Sequence, residues 1–173
     1  MNINNMYFLD ESSVNCGMTR LYGRALSSQR VNDYVPDVRF ERTSIIGALG
    51  LNGFVAPLIY KGTLNCELFD TYVKKCLAPA LKSGDTLILD NLSVHKVNGV
   101  LTPLIDKGVK IIFLPPYSPD FSPIELAWSK IKAYLRKVKA RTSIHLGEAI
   151  GSSLDLLTET DISSWFSHCG YRL

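Results

Sequence analysis

No apolar run in this 173-residue sequence approaches the roughly 18 to 20 residues that a bilayer-spanning helix requires. The polar start Met1-Asn-Ile-Asn-Asn5 also lacks the basic and apolar regions of a secretory signal. A soluble, unprocessed cytoplasmic protein without membrane contact is therefore expected. Cysteine is sparse: the four, at 16, 66, 76 and 169, form no C-x-x-C pair, and none has a histidine at metal-finger spacing. They read as reduced thiols, three of them in the core. Internal repeats, low-complexity tracts and linkers are missing too, so residues 1–173 should form one domain, large enough to bury a substantial core at 46% hydrophobic content.

Excess charge is scarce overall, at a net +3, but it is not evenly spread. Between Ser129 and Arg141 stand six bases (Lys130, Lys132, Arg136, Lys137, Lys139, Arg141) and no acid, while the rest of the chain carries thirteen bases against sixteen acids. A local basic surface of this kind suits a polyanion.

Met6 to Leu9 is short, apolar and β-prone, and the polar cluster after it predicts a strand that stops at Asp10. Residues 20–25 suggest a short strand and Ser27 to Arg39 a long surface loop. Thr43–Leu49 and Phe54–Tyr60, joined by Gly50-Leu-Asn-Gly53, predict a hairpin. Asn65 caps an expected helix that Pro79 should kink or end and Gly84 should close. Buried strands are expected at Thr86–Leu89 and Val109–Leu114, with a helix over Val97–Asp106 between them. Ile124, Trp128, Ile131, Leu135 and Val138 alternate by four and three, which predicts a helix of about four turns. Two further helices are expected, near 144–157 and 161–169. This order describes an α/β fold with a central mixed sheet of about five strands flanked by helices.

The chemistry concentrates in three acids. Asp10 and Asp90 each end an apolar run, and the proline-rich connector Phe113-Leu-Pro-Pro-Tyr-Ser-Pro-Asp-Phe-Ser-Pro-Ile-Glu125 delivers Glu125 onto the first turn of a helix. Carboxylates at the C-terminal ends of strands in an open α/β sheet lie at the edge where sites form. If the two strands are parallel neighbours, their carboxylates reach one metal site and Glu125 completes it. Hard oxygen ligands suit two Mg²⁺ ions acting on phosphodiesters. The plainer alternatives are that the aspartates are turn residues and that Ser122-Pro-Ile-Glu125 is a capping box in which Glu125 bonds back to the Ser122 amide. Asn91 and His95 follow Asp90 closely and are candidates to orient a ligand or contact a phosphate, the plainer reading of a lone histidine being structural. Lys132 and Arg136 share a helix stripe with Glu125, and with Lys130 and Lys139 they are the candidate DNA contacts. Tyr117 is a candidate for stacking on a base or for packing, and Trp128 and Trp165 are expected to fill the core.

Phe8-Leu-Asp-Glu-Ser12, Leu89-Asp-Asn-Leu-Ser-Val-His95 and Leu114–Trp128, with 34 residues between Asp90 and Glu125, resemble the mariner-type DDE transposases in their bacterial insertion-sequence branch. The resemblance implies an RNase H-like fold with Asp10, Asp90 and Glu125 as the metal-binding triad. It also implies Mg²⁺- or Mn²⁺-dependent cleavage at transposon ends, strand transfer into target DNA, a homodimer assembled on DNA and a bacterial, nucleoid-associated setting. Relatives carry helix-turn-helix domains before the catalytic domain, whereas here Asp10 comes nine residues after Met1. The expectation is thus a catalytic domain without that region, with two readings open: recognition supplied by a separately encoded subunit, or a gene that is a remnant. Three alternatives remain: an RNase H-like nuclease without strand transfer, a non-catalytic DNA-binding or regulatory transposase fragment, and, ranked below these because Leu-Pro-Pro follows Phe113 where a lysine is expected, a receiver-like phosphoacceptor pocket of Asp10, Glu11 and Asp90.

Overall fold

The structure is a computed structural model that describes residues 2–37, 40–116 and 118–172. Its centre is a five-stranded mixed sheet in the order β3-β2-β1-β4-β5. The strands are β1 (Met6–Val14), β2 (Thr43–Gly50), β3 (Gly53–Lys61), β4 (Thr86–Leu89) and β5 (Lys110–Phe113). The first three form an antiparallel meander, while β4 and β5 join parallel to β1.

Alternation along β1 and β4 divides the core in two. Phe8, Ile45, Leu49 and Ile88 face α4 (Pro123–Val138), α5 (Ser143–Asp155) and α6 (Glu159–His168) on one side. Leu9, Ile46, Leu87 and Leu89 face α1 (Cys66–Tyr72), the π-helical turn Val73–Leu77 and α3 (Thr102–Asp106) on the other. The short α2 (Ala78–Ala80) continues α1 through that turn. The wider turn accommodates Pro79, which has no N–H to donate and whose ring crowds the preceding carbonyls. The helix ends at Ala80, where Leu81 turns extended, and Gly84 instead serves the turn into β4 with a φ of 88°.

Several expected elements differ. β1 does not stop at Asp10: Asp10 pairs with Gly47 and the ladder with β2 continues to Val14 opposite Thr43. Pairing supplies what the polar side chains of Glu11, Ser12 and Ser13 could not signal. β5 is a half-exposed edge strand rather than a buried one. Residues 20–25 form no strand, and the loop that contains them leaves Leu21, Tyr22, Leu26 and Tyr34 exposed. The helix expected from Val97 is confined to α3 because Gly99 takes a φ of 85°. Of the cysteines, Cys16 and Cys169 are buried, Cys76 is partly buried against the second half of the core, and Cys66 is exposed. No helix among the described residues is long and apolar enough to cross a membrane.

Candidate active site

Parallel pairing of β1 with β4 runs from Met6 opposite Thr86 to Leu9 opposite Leu89. The next residue on each strand is an aspartate, and in a parallel register both side chains leave on the same face of the sheet. Beyond this rung β1 stays with β2 while β4 ends, so the strands part. A cleft of about 650 Å³ opens there, lined by Asp10, Asp90, Asn91, Lys96, Ser122 and Glu125.

Glu125 arrives from the first turn of α4, with Pro123 pre-setting the helical backbone at the start. It is not spent on capping. The Ser122 side chain makes no cap hydrogen bond, and the Ser122 amide donates to the Pro119 carbonyl at 2.9 Å. The connector is tied to the sheet edge at both strands: the Leu114 amide donates to the Leu89 carbonyl at 2.8 Å, and Asn91 Nδ2 donates to the Leu114 carbonyl. Asn91 therefore fixes the approach to the helix. Tyr117 lies outside the described residues.

The two aspartates sit in opposite electrostatic circumstances. Burial, then the negative charges of Glu125 and Asp90, push the Asp10 carboxyl up to about 7, against the lowering effect of the Glu11 amide and the Trp128 indole. Burial would also raise Asp90, but hydrogen bonds from His95 and the Leu92 amide prevail and leave it below the usual range. His95 is 1% exposed and places Nδ1 2.8 Å from Asp90 Oδ1. For that ring to bond a carboxylate, Nδ1 must carry the proton. Phe69 holds the ring from the other side, centroid to centroid at 4.7 Å.

Three carboxylates around one cleft, one of them carrying the unfavourable charge of the other two, form a donor set suited to a hard divalent cation. Among the described residues, no three Asp, Glu, His or Cys side chains are gathered closely enough to enclose an ion as they stand. The donor chemistry of Asp10, Asp90 and Glu125 fits, with Glu125 exposed on its helix turn at the rim of the cleft.

The basic stripe divides. Lys130 pairs with Asp161 of α6 and Lys139 with Asp33. Arg141 donates to the Cys16 and Met18 carbonyls at 2.7 and 3.0 Å. Lys132 lies half-buried, one turn and three residues past Glu125, and Arg136 borders the loop at Met18, Thr19 and Val35. Sequence reasoning missed Trp128. It does fill the core, at 2% exposure, but its Nε1 also donates to Asp10 Oδ2 at 2.9 Å.

The sequence model of the family described as DDE superfamily endonuclease matches residues 5–146. No curated protein matches the chain. Among solved structures, a pre-cleavage Mos1 transpososome shares the fold with a TM-score of 0.77 at 12% identity, over 97% of this chain and 54% of that one. The Mos1 mariner paired end complex with Mn gives 0.70 at 13% identity, over 98% and 54%. The catalytic domain of Mos1 mariner transposase gives 0.67 at 12% identity, over 97% and 80%. The mixed sheet with its flanking helices is thus the RNase H-like fold of that catalytic domain. The chain spans about half the length of the longer Mos1 chains, from 51% to 54%.

Proposed function

The chain belongs to the DDE superfamily endonuclease family, and from that premise we propose that it is the catalytic domain of a transposase, of the bacterial insertion-sequence branch of the mariner type. Asp10, Asp90 and Glu125 are its metal-binding triad. The observation that carries this reading is their convergence on one cleft from β1, β4 and α4. Two Mg²⁺ or Mn²⁺ ions bound there would supply activation of the attacking oxygen and stabilisation of the leaving one.

This chain's own residues bind and orient. His95 holds one oxygen of Asp90, Asn91 anchors the connector, and α4 carries Glu125 at a fixed place on its first turn. Lys132 and Arg136 continue from Glu125 along the helix and position the phosphate backbone, while Lys130 and Lys139 join only by exchanging Asp161 and Asp33 for phosphate. The substrates are transposon ends and then target DNA, with strand transfer following cleavage. The assembly is a homodimer on DNA. Mos1 structures with paired ends, with Mn and with Mg lend support to DNA and divalent cations as partners.

The test is nicking of supercoiled plasmid in Mg²⁺ and in Mn²⁺ by wild type, Asp90→Ala and Glu125→Gln. Metal-dependent nicking by the wild type, reduced at least about 100-fold in both variants, is the expected result. Nicking retained by Glu125→Gln would remove that residue from the triad. Joining of a 3′-hydroxyl end to a second DNA separates a transposase from a nuclease that only cuts.

A further inference from the structure

Asp10 is held from the helix layer that also supplies Glu125. Trp128 stands three residues after Glu125 on α4, so one helix face carries the third carboxylate and a donor to the first. An indole N–H only donates and does not titrate, so the Asp10 Oδ2 it meets at 2.9 Å is fixed as an acceptor. The ring has little room to swing. Phe54 meets it edge to face with centroids 5.3 Å apart. Phe54 in turn lies on Gly47, where an added Cβ would come within 2.2 Å of the phenyl ring. Gly47 is the residue across the β1–β2 ladder from Asp10 itself, and it sits at the irregularity in the β2–β3 register. The packing therefore closes on one rung of the sheet: Gly47 makes room for Phe54, Phe54 braces Trp128, and Trp128 holds Asp10.

We propose that Trp128 is a positioning residue for the divalent-cation site, occupying Oδ2 of Asp10 so that the other carboxylate oxygen is the one offered to an ion. This rests on the reading of Asp10 as a metal ligand. A tryptophan that only filled the core would contribute to stability and leave cation affinity alone. A partner that orients a ligand changes affinity, typically by 10- to 100-fold.

The experiment is a Mn²⁺ titration, with free ion followed by its electron paramagnetic resonance signal, on wild type, Trp128→Phe, Asp10→Ala and the double variant. Trp128→Phe keeps a buried ring and removes the N–H. Expected are saturable binding by the wild type, about 10-fold weaker binding by Trp128→Phe, and no further loss when that change is added to Asp10→Ala. Equal affinity of Trp128→Phe and wild type, with Asp10→Ala impaired, would overturn the positioning role and leave the triad standing. Absence of saturable binding by the wild type, or binding indifferent to Asp10→Ala, would overturn the triad and this inference together.

A second measurement needs no change at Trp128. The indole ¹H–¹⁵N signals of the two tryptophans, assigned with Trp165→Phe, are followed during Mg²⁺ addition. The Trp128 signal should shift with saturation while that of Trp165 stays put. A Trp128 signal that ignores Mg²⁺ while the site fills would overturn the proposal even if Trp128→Phe fails to fold.

Discussion

At the scale of single residues, three acids line one cleft, and each stands at a break in an apolar pattern: Asp10 after Met6–Leu9, Asp90 after Thr86–Leu89, and Glu125 in the first turn of a proline-started helix. His95 was readable as a neighbour of Asp90, and its ring does bond that carboxylate. Trp128 was not, because an indole in an apolar helical stripe looks like core filler and its partner lies 118 residues away in sequence. Pattern reports which face a residue is on, whereas a donor's partner depends on the assembled layers. For His95 the geometry leads to a specific outcome. Its Nδ1 orients Asp90, while its buried Nε2 has no hydrogen-bond partner among the described residues. His95→Leu removes the orienting hydrogen bond and also a buried polar atom that was already unsatisfied, so the loss should fall on chemistry more than on fold. Plasmid nicking should drop by about 10- to 100-fold, with the thermal midpoint lowered by only a few degrees, on the order of 1 kcal/mol. A change in nicking below about twofold, well under the usual effect of an orienting partner, would assign the ring to packing alone.

At the scale of elements, the strands and helices that bury one face were legible and the connections between them were not. The hairpin β2–β3, the helix α4 and the two helices after it follow from turn residues and apolar spacing. The extension of β1 past Asp10 depends on pairing with β2, a contact between segments some thirty residues apart, and no local preference for strand marks Glu11 to Ser13. The docking of α6 on α4 is a similar long-range event. Thr158 and Asp161 form a reciprocal capping box at the start of α6, and Lys130 of α4 pairs with the same Asp161. Those hydrogen bonds, that from Lys130 first, hold the Asp161 carboxyl down at about 2. Because this value lies below the ordinary one of about 3.9, the contribution to stability is fully present above about pH 4 and is lost as pH falls through about 2. Asp161→Asn should therefore lower the thermal midpoint by a few degrees at pH 7 and make no difference below about pH 2, with the two melting curves converging between. A constant offset across that range, measured by thermal unfolding at several pH values, would mean that the carboxylate charge contributes nothing.

At the scale of the whole molecule, the sheet separates two tasks. The antiparallel meander gives β1 a rigid partner on one side, and the parallel pair β1–β4 ends one rung short of two aspartates on the other. The helix layer packed on the same face then supplies Glu125, Trp128 and the basic stripe from a single helix. The stripe is weaker for a polyanion than its composition indicates. Of the six bases between Ser129 and Arg141, Lys130 and Lys139 are paired with acids and Arg141 holds the carbonyls of Cys16 and Met18, so these first serve the fold. Among the described residues, Lys132, Arg136 and Lys137 form no salt bridge. If the DNA path follows α4 away from Glu125, Lys132 and Arg136 neutralise most of the phosphates there, and each phosphate left without its cation takes about 0.9 from the slope of log affinity against log salt. Lys132→Ala combined with Arg136→Ala should weaken binding of a DNA duplex and flatten that slope by about 1.8, measured by fluorescence anisotropy from low to moderate salt. Lys130→Ala alone should change the slope little, because breaking its pair with Asp161 acts on the α4–α6 packing before it acts on DNA. A double variant with an unchanged slope would move the DNA path off α4 and onto the other rim of the cleft, where Lys96 stands beside Leu92 and Asn91.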